Sequence, residues 1–215
     1  KAFKCPEDQH QLMHFFRNVN NALPFEGNKT EVYTDGLSML QSLMKAISKA
    51  KHHIHLEFYI FEDDPVGRLL RDLLIDKARE GVEIRLLYDD VGCWKVPHLF
   101  YDEMRGAGIE ARGFLKVRFP VFTSKVNYRN HRKIVVIDGK VAFTGGMNIA
   151  LRYMKGFQWG IWRDTHIKIE GKAVYGLQTA FLTDWYVVDR TLITSSRYFH
   201  GMASFGHALM PIVTS

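Results

Sequence analysis

Cysteine is scarce in this chain, which has only Cys5 and Cys93 among its 215 residues. Two cysteines are too few for a disulfide framework, and these two are not spaced as zinc ligands are. We therefore interpret them as free thiols in a reducing compartment. Long hydrophobic runs are also lacking. None approaches the roughly 18 apolar residues that a transmembrane helix requires, so the sequence predicts no membrane-spanning helix.

The overall composition is that of an ordinary globular protein, with 47% hydrophobic and 24% charged residues. This balance argues against a disordered, collagen-like or low-complexity chain. The length suits one domain or two small ones, at roughly 150 residues per domain. A net charge of +6 favours an anionic partner, either nucleic acid or an acidic lipid surface, and does not choose between them.

Strand and helix patterns alternate along the chain, which predicts an α/β fold with a mixed β-sheet flanked by α-helices. The predicted strands lie at 32–33, 53–61, 82–88, 109–115, 133–137, 141–144 and 165–169, and the predicted helices at 37–47, 69–78, 99–104 and 171–188. Asp138-Gly139 between two apolar runs indicates a β-hairpin. Residues 116–130 and 150–162 are expected to form loops.

The most informative stretch runs from His131 to Asn148 and has the spacing His-x-Lys-x4-Asp-x6-Gly-Gly-x-Asn. On a strand, His131 and Lys133 point to the same face because they are two residues apart. A neutral imidazole can attack phosphorus, and an ammonium group neutralises phosphoryl oxygens. Gly145 and Gly146 allow close approach to the backbone, and Asn148 offers an amide donor.

This spacing resembles the HKD signature of the phospholipase D superfamily. The flanking sequence is similar to bacterial cardiolipin synthases at 53–61, 127–139 and 162–171, and at Leu177-Gln and Asp184-Trp185 in the last helix. The similarity covers roughly residues 30–190 and matches the first of that family's two catalytic halves. It implies a phospholipase D-like catalytic half at 30–190, preceded by an N-terminal segment at 1–29.

The ends of the sequence suggest a part of a longer protein. Residue 1 is Lys, no signal peptide precedes it, and the last residues have the pattern of a strand that has just begun. We therefore expect residues 191–215 to be the start of a truncated second half. The membrane helices that cardiolipin synthases carry at their amino terminus are expected outside this chain.

The resemblance also implies roles for individual residues. His131 is expected to attack phosphorus and form a phosphohistidine, with Lys133 binding the phosphate and Asn148 donating a further hydrogen bond. Asp138 is expected to have a structural role, or to contact the residues that bind the substrate without contacting the substrate itself. Asp164 fits the carboxylate that orients the histidine ring, although it could instead be a surface partner for its neighbour in sequence. The resemblance implies no metal and no cofactor.

A second catalytic histidine is expected to come from a second motif. His166-Ile-Lys168 is the only other His-x-Lys in the sequence, and it lacks both the aspartate and the Gly-Gly-x-Asn that should follow. We interpret it as part of a strand. The chain is therefore expected to carry half an active site, and the other half is expected downstream in the native protein or on a second copy in a dimer.

Residues 112–133 contain seven basic residues, four interleaved aromatic residues and no acidic residue. Such a segment suits an anionic headgroup at a membrane interface or a nucleic-acid strand, and equally a solvated basic loop over a core of Phe. Arg129 in this segment is a predicted substrate-binding residue, together with Gly145, Gly146 and Glu57. Residues 151–162 could form a lid that enters lipid or a loop folded back on the domain.

One strand presents a pattern that resembles a metal site. His53, His55 and Glu57 fall on one face of it, but no fourth ligand is visible, so no metal is predicted. Glu57 then either lines the cleft or is a buried, paired carboxylate, and the sequence leaves both interpretations open.

The function that these features favour is the formation of cardiolipin from two phosphatidylglycerol molecules, with release of glycerol, at the cytoplasmic face of a bacterial cell membrane. Two other readings stay open. One is a phospholipase D or a dimeric single-motif phosphodiesterase or nuclease, and only this reading has nucleic acid as a partner. The other is a non-catalytic module that binds anionic lipid.

Overall fold

The computed structural model describes residues 15, 18, 22, 24–114, 130–156, 160, 162–199 and 204–213. Within them, eight strands and five α-helices follow in this order: β1 (Pro24–Tyr33), α1 (Gly36–Ser48), β2 (His53–Phe58), α2 (Pro65–Arg79), β3 (Glu83–Asp89), α3 (His98–Gly106), β4 (Glu110–Phe114), β5 (Ile134–Ile137), β6 (Val141–Gly145), α4 (Leu151–Lys155), β7 (His166–Glu170), α5 (Val174–Asp189) and β8 (Ala208–Pro211). A 3₁₀ turn at Ser196–Tyr198 lies between α5 and β8.

The strands form one mixed sheet in the order β4-β3-β2-β5-β6-β7-β1-β8. The strands β2, β3 and β4 run parallel, and every other neighbouring pair is antiparallel. Parallel strands need crossovers, and α2 and α3 supply them. The predicted α/β fold with a mixed, helix-flanked sheet is confirmed.

Helices cover both faces of the sheet. The face with Leu56, Val135 and Phe143 packs against α1, α2, α3 and α4 in the larger buried cluster. The opposite face, with Ile134 and Val136, packs against α5 in a second cluster. Because both faces are covered, β5 is buried along its whole length, and its four residues are all apolar.

Short polar side chains set the starts of two helices. Asp35 accepts a hydrogen bond from the Ser38 N–H at 2.8 Å at the start of α1. Asp64 accepts from Val66 and Gly67, both at 2.9 Å, and Pro65 occupies the first turn of α2, where its missing N–H costs nothing.

The predicted hairpin between β5 and β6 is present. Asp138 and Gly139 both have positive φ, at 53° and 63°, as the central positions of a type I′ turn require. The turn closes with a 3.0 Å hydrogen bond from the Lys140 N–H to the Ile137 carbonyl.

Three features differ from the sequence-based expectation or extend it. The first strand spans Pro24–Tyr33 rather than two residues, and the expected loop at 150–162 begins with the helix Leu151–Lys155. Strand β8 pairs with β1, so the predicted terminal segments each supply residues to the sheet. The expected loop at 116–130 lies outside the described residues except for Asn130. None of the helices in the described part of the chain is long and apolar enough to cross a membrane.

Candidate active site

The motif histidine and lysine lie in the extended segment that enters β5 near the middle of the sheet. His131 is exposed, whereas the Lys133 side chain is buried. Because β2 and β5 are antiparallel, the end of β2 meets the start of β5, which brings Tyr59 to the motif.

Tyr59 contacts both motif residues. The imidazole of His131 stacks on the Tyr59 ring with centroids 4.1 Å apart and an interplanar angle of 16°. The Lys133 ammonium lies 5.6 Å from the same ring centroid and donates a 2.5 Å hydrogen bond to the His131 carbonyl. Sequence reasoning did not single out Tyr59. Its position directly after β2 was the available signal.

Burial lowers the pKa of Lys133, and the negative charge of Asp164 acts against that effect. An ammonium group that is partly removed from water is suited to bind phosphoryl oxygens. This environment supports the phosphate-binding role expected for Lys133.

Asp164 lies against the glycine pair. A Cβ at Gly146 would lie 2.0 Å from Oδ1 of Asp164, and a Cβ at Gly145, which has φ of 152°, would lie 2.4 Å from the Thr165 carbonyl oxygen. The Gly146 N–H donates to that same carbonyl at 2.9 Å. The two glycines therefore allow close contact between β6 and the segment that enters β7.

The side-chain hydrogen bond of Asp164 is local. Its Oδ1 accepts from the Thr165 N–H at 2.7 Å, and among the hydrogen bonds of the described residues none joins Asp164 to His131. Asp164 also acts electrostatically on Lys133 and His166. Its role in orienting the His131 ring stays a prediction.

Asn148 is buried and connects two segments beside the motif. Its Oδ1 accepts from the Ile60 N–H at 3.0 Å, and its Nδ2 donates to the Tyr153 hydroxyl at 2.6 Å. The segment after β2 is thereby tied to α4. A hydrogen bond from Asn148 to a phosphate stays a prediction. It would have to use the second N–H of Nδ2, because the first donates to Tyr153.

Asp138 lies at the far end of β5, away from His131. Its carboxylate accepts three backbone N–H groups, from Lys51 at 3.0 Å, His52 at 2.8 Å and His53 at 3.0 Å. The hydrogen bonds fix the start of β2 to the hairpin. The structural role that the resemblance implied for Asp138 stays a prediction.

Glu57 lies beneath the motif and is 2% exposed. Its Oε1 accepts a hydrogen bond from the side chain of Asn130, the residue before His131, and Arg132 forms an ion pair with Asp184 of α5. Burial, and then the charge of Asp184, raise the pKa of Glu57 well above its usual value, and Arg132 opposes that effect. The raised pKa favours the protonated form of Glu57. Contact between Glu57 and substrate stays a prediction.

His53 and His55 are joined by hydrogen bonds to one glutamine on α5. Gln178 Oε1 lies 3.2 Å from His53 Nε2, and Gln178 Nε2 lies 2.8 Å from His55 Nδ1. Burial lowers the pKa of His53 to about 4 and that of His55 well below its usual value, so both rings are neutral. Within the described residues, no group of three or more His, Cys, Asp or Glu side chains could hold a metal ion. Arg129 lies outside the described residues.

Comparison with known proteins decides the family. A family described as "Cardiolipin synthase, PLD-like domain" matches residues 43–185, which is more than half of the chain and includes the whole motif. The chain belongs to this family. The recognition made from the motif and its flanking sequence is confirmed.

Curated relatives share this family over most of the chain. The chain is 43% identical to a cardiolipin synthase of Geobacillus sp. over 190 residues, which is 87% of the chain and 38% of that protein. It is 40% identical to the major cardiolipin synthase ClsA of Bacillus subtilis over 211 residues, which is 97% of the chain and 44% of that protein. The chain thus spans less than half the length of these relatives.

Solved structures agree on the fold. Nuc of Salmonella typhimurium, a phospholipase D family member, superposes with a TM-score of 0.56 at 17% identity, covering 75% of this chain and 96% of that one. The phosphatidylserine synthase of Haemophilus influenzae gives a TM-score of 0.60 at 18% identity, covering 80% of this chain and 41% of that one. These likenesses show a phospholipase D-like fold.

Proposed function

We propose that the protein containing this chain is a phosphatidyltransferase that forms cardiolipin from two phosphatidylglycerol molecules and releases glycerol. The observation that carries the proposal is identity of 40% or more to cardiolipin synthases across nearly the whole chain, with the motif included. The geometry supports it, because an exposed imidazole lies beside a buried ammonium group at the centre of the sheet.

The reaction proceeds by two in-line displacements at phosphorus. An imidazole nitrogen of His131 forms a bond to phosphorus, the bond from phosphorus to the glycerol oxygen breaks, and glycerol leaves with a proton. The terminal hydroxyl of a second phosphatidylglycerol then attacks the phosphohistidine, loses its proton and releases His131 unchanged. Lys133 neutralises the charge on the phosphoryl oxygens in both steps.

The proton donor and acceptor for these steps is expected on a second half that carries its own HKD motif. The chain covers 38% of the Geobacillus relative and 44% of the Bacillus subtilis one, which leaves room in such proteins for that half. It lies downstream in the intact protein or on a second copy of the chain. The division into 1–29, 30–190 and 191–215 remains part of this proposal.

An anionic membrane surface is the proposed partner. Trp94 and Leu99, which follow β3 in sequence, and Trp162, which precedes β7, are exposed, and the Lys95 ammonium lies 5.4 Å from the Trp94 ring centroid. Aromatic and basic side chains together favour the interface of an anionic membrane. We place the catalytic domain at the cytoplasmic face of a bacterial cell membrane.

Product identity tests the function. The intact protein that contains this chain is incubated in vesicles with radiolabelled phosphatidylglycerol, and the lipids are separated. We expect cardiolipin and an equimolar amount of glycerol, and no product from His131→Asn. Phosphatidic acid as the main product would instead indicate a phospholipase D, and cleavage of added DNA would indicate a nuclease.

A trapping experiment tests the intermediate. Rapid denaturation in detergent at neutral pH, which spares both the acyl esters and the phosphorus–nitrogen bond, should preserve a phosphatidyl group on His131 of the wild-type protein and on no residue of His131→Asn. Anionic vesicle binding that His131→Asn retains, without any turnover by the wild-type protein, would favour the non-catalytic lipid-binding module.

A further inference from the structure

The segment that follows β2 carries Tyr59, whose ring stacks on the imidazole of His131. Two other parts of the chain hold this segment in place. The first is the segment after β6, where Asn148 Oδ1 accepts from the Ile60 N–H at 3.0 Å and the Ile149 N–H donates to the Ile60 carbonyl at 3.1 Å. The second is the loop between β3 and α3, and the contacts of this loop reach the Tyr59 ring itself.

The loop between β3 and α3 is ordered by the residue at its start. Asp89 ends β3, and its Oδ1 accepts hydrogen bonds from the Val91 N–H at 2.9 Å and the Gly92 N–H at 2.8 Å. The Asp89 carbonyl also accepts from the Cys93 N–H at 2.9 Å. Side-chain hydrogen bonds of Asp to the backbone two and three residues on are typical of tight turns. They present Gly92 and Cys93 to the segment after β2.

Gly92 contacts Tyr59 at its backbone and at its ring. A Cβ at Gly92 would lie 2.1 Å from the Tyr59 carbonyl oxygen and 3.1 Å from Cε2 of the Tyr59 ring. The φ of Gly92 is not positive, so this position requires the absence of a side chain rather than the backbone freedom of glycine. A side chain at this position would therefore move the ring on which His131 stacks.

The buried thiol of Cys93 holds the same segment. Its Sγ accepts a hydrogen bond from the Phe61 N–H at 3.3 Å and donates one to the Tyr59 carbonyl at 3.6 Å. Burial raises the pKa of the thiol to about 11, so Cys93 keeps its proton at neutral pH and can donate as well as accept. The thiol thus connects the residue before Ile60 to the residue after it.

We propose that Gly92 and Cys93 are positioning residues for the proposed phosphatidyl transfer, because their loop fixes the Tyr59 ring and thereby the plane of the His131 imidazole. The inference rests on the proposed function, in which His131 attacks phosphorus, and adds to it two residues that act through Tyr59. A nucleophile must be aligned with the bond that it breaks, and a displacement of about an ångström has large effects on rate.

The alternative is that both residues serve only the packing of the domain. Cys93 belongs to the larger buried cluster, so its replacement would lower stability under either interpretation. The two interpretations differ when the Tyr59 ring is absent. Residues that act through this ring then lose their effect on kcat, whereas residues that act through packing keep it, because only contributions that share a partner fail to add.

Cardiolipin formation by the intact protein tests the proposal. Gly92→Ala should lower kcat roughly 10–100-fold and leave KM within about threefold of wild type. Gly106→Ala, at the end of α3, is the matched control, because nothing lies within 4 Å of its added Cβ. In a Tyr59→Leu background, Gly92→Ala should change kcat by less than about twofold. Equal losses from Gly92→Ala in both backgrounds would overturn the proposal.

Cys93→Ala keeps the test decisive if Gly92→Ala does not fold. This variant lacks both hydrogen bonds of the thiol, so kcat should fall about three- to tenfold in the wild-type background and less than about twofold in Tyr59→Leu. Cys93→Ser keeps a donor and an acceptor and should restore kcat to within about twofold of wild type. A Ser variant as slow as the Ala variant would overturn the role of the thiol.

A measurement without turnover separates the inference from the function. In the full 215-residue chain, stacking on Tyr59 should shift the NMR signals of the His131 ring protons upfield. Gly92→Ala and Cys93→Ala should reduce this shift, as Tyr59→Leu does, and Gly106→Ala should not. Unchanged signals in both variants would overturn the positioning role, whatever the intact protein makes. Reduced shifts in a protein that forms no cardiolipin would support the positioning of His131 and overturn only the proposed function.

Discussion

The imidazole of His131 stacks on the Tyr59 ring with centroids 4.1 Å apart, and the Lys133 ammonium lies 5.6 Å from the same ring. One aromatic side chain thus supports both residues that the proposed chemistry needs. The stacking leaves the edges of the imidazole open and restricts how its plane can turn. Tyr59 is therefore a positioning residue, and its aromatic face matters more than its hydroxyl group.

Replacing Tyr59 should separate these contributions. Tyr59→Phe keeps the aromatic face, so kcat of the intact protein should stay within about threefold of wild type, whereas Tyr59→Leu should lower kcat roughly 10–100-fold through loss of ring alignment. Cardiolipin formation under saturating substrate provides the measurement. Equal losses in the two variants would show that the hydroxyl group, and not the stack, carries the effect.

The glycine pair makes a second test possible. The Cβ that Gly146→Ala adds would lie only 2.0 Å from Oδ1 of Asp164, so the carboxylate must move. We expect a loss of roughly 10–100-fold in kcat/KM, since displacement by an ångström at a reacting site has effects of this size. Gly106→Ala is the matched control, because nothing lies within 4 Å of its added Cβ. If the two variants have similar activity, Asp164 does not position the site.

The sequence was sufficient for the fold class and for the motif, since both depend on local patterns. Apolar periodicity located most of the helices, and Asp138-Gly139 marked the hairpin. The first strand was underpredicted because Glu26, Asn28, Lys29 and Glu31 hide its pattern, and pairing on both sides holds it in the sheet. The helix α4 is five residues long, and its first N–H, on Leu151, is accepted by Asp64 at 2.5 Å, 87 residues away.

The contacts of the side chains next to the motif could not be predicted either, because they join residues that are far apart in sequence. Glu57 meets Asn130 across 73 residues, and Arg132 meets Asp184 across 52. No spacing rule links these side chains before the sheet order is known. Glu57 was named from its strand face alone, and the structure adds the burial and the nearby charge of Asp184 that raise its pKa.

The raised pKa of Glu57 leads to a further prediction. Glu57→Gln keeps an oxygen for Asn130 and lacks the negative charge, so it should change the free energy of unfolding by less than about 1 kcal/mol at pH 7. Glu57→Leu removes the acceptor and should destabilise the chain by about 1–3 kcal/mol. Urea unfolding provides the measurement. A Gln variant as unstable as the Leu variant would mean that the folded state needs the charged carboxylate.

Asp138 should matter for stability through its three backbone hydrogen bonds. Asp138→Asn preserves the tolerance for positive φ but weakens those hydrogen bonds, so unfolding should become easier by about 1–3 kcal/mol. Asp76→Asn is the control, since Asp76 is an exposed carboxylate paired with the exposed Arg79, and its effect should stay within about 0.5 kcal/mol. Equal effects in urea unfolding would remove Asp138 from this structural role.

Stability should fall as the solution becomes acidic, because buried histidines resist protonation in the folded chain. The pKa of His53 is about 4 in the folded state and 6.5 in the unfolded state, where the ring is not buried. Between these pH values the unfolded state binds one more proton at this ring than the folded state does. Unfolding is therefore favoured as pH falls from 6.5 to 4, at up to about 1.4 kcal/mol per pH unit for one such group. Above pH 6.5 both states are neutral at this ring, and the effect vanishes.

His53→Gln isolates that contribution, since the amide can occupy the place of Nε2 opposite Gln178 and does not titrate. The slope of unfolding free energy against pH between 6.5 and 4 should become shallower by up to about 1.4 kcal/mol per pH unit, while His55 and His166 keep part of the acid sensitivity. Urea unfolding at half-unit pH steps gives both curves. If they run parallel over this range, His53 is protonated in the folded chain, and its hydrogen bond to Gln178 must then be made by a charged ring.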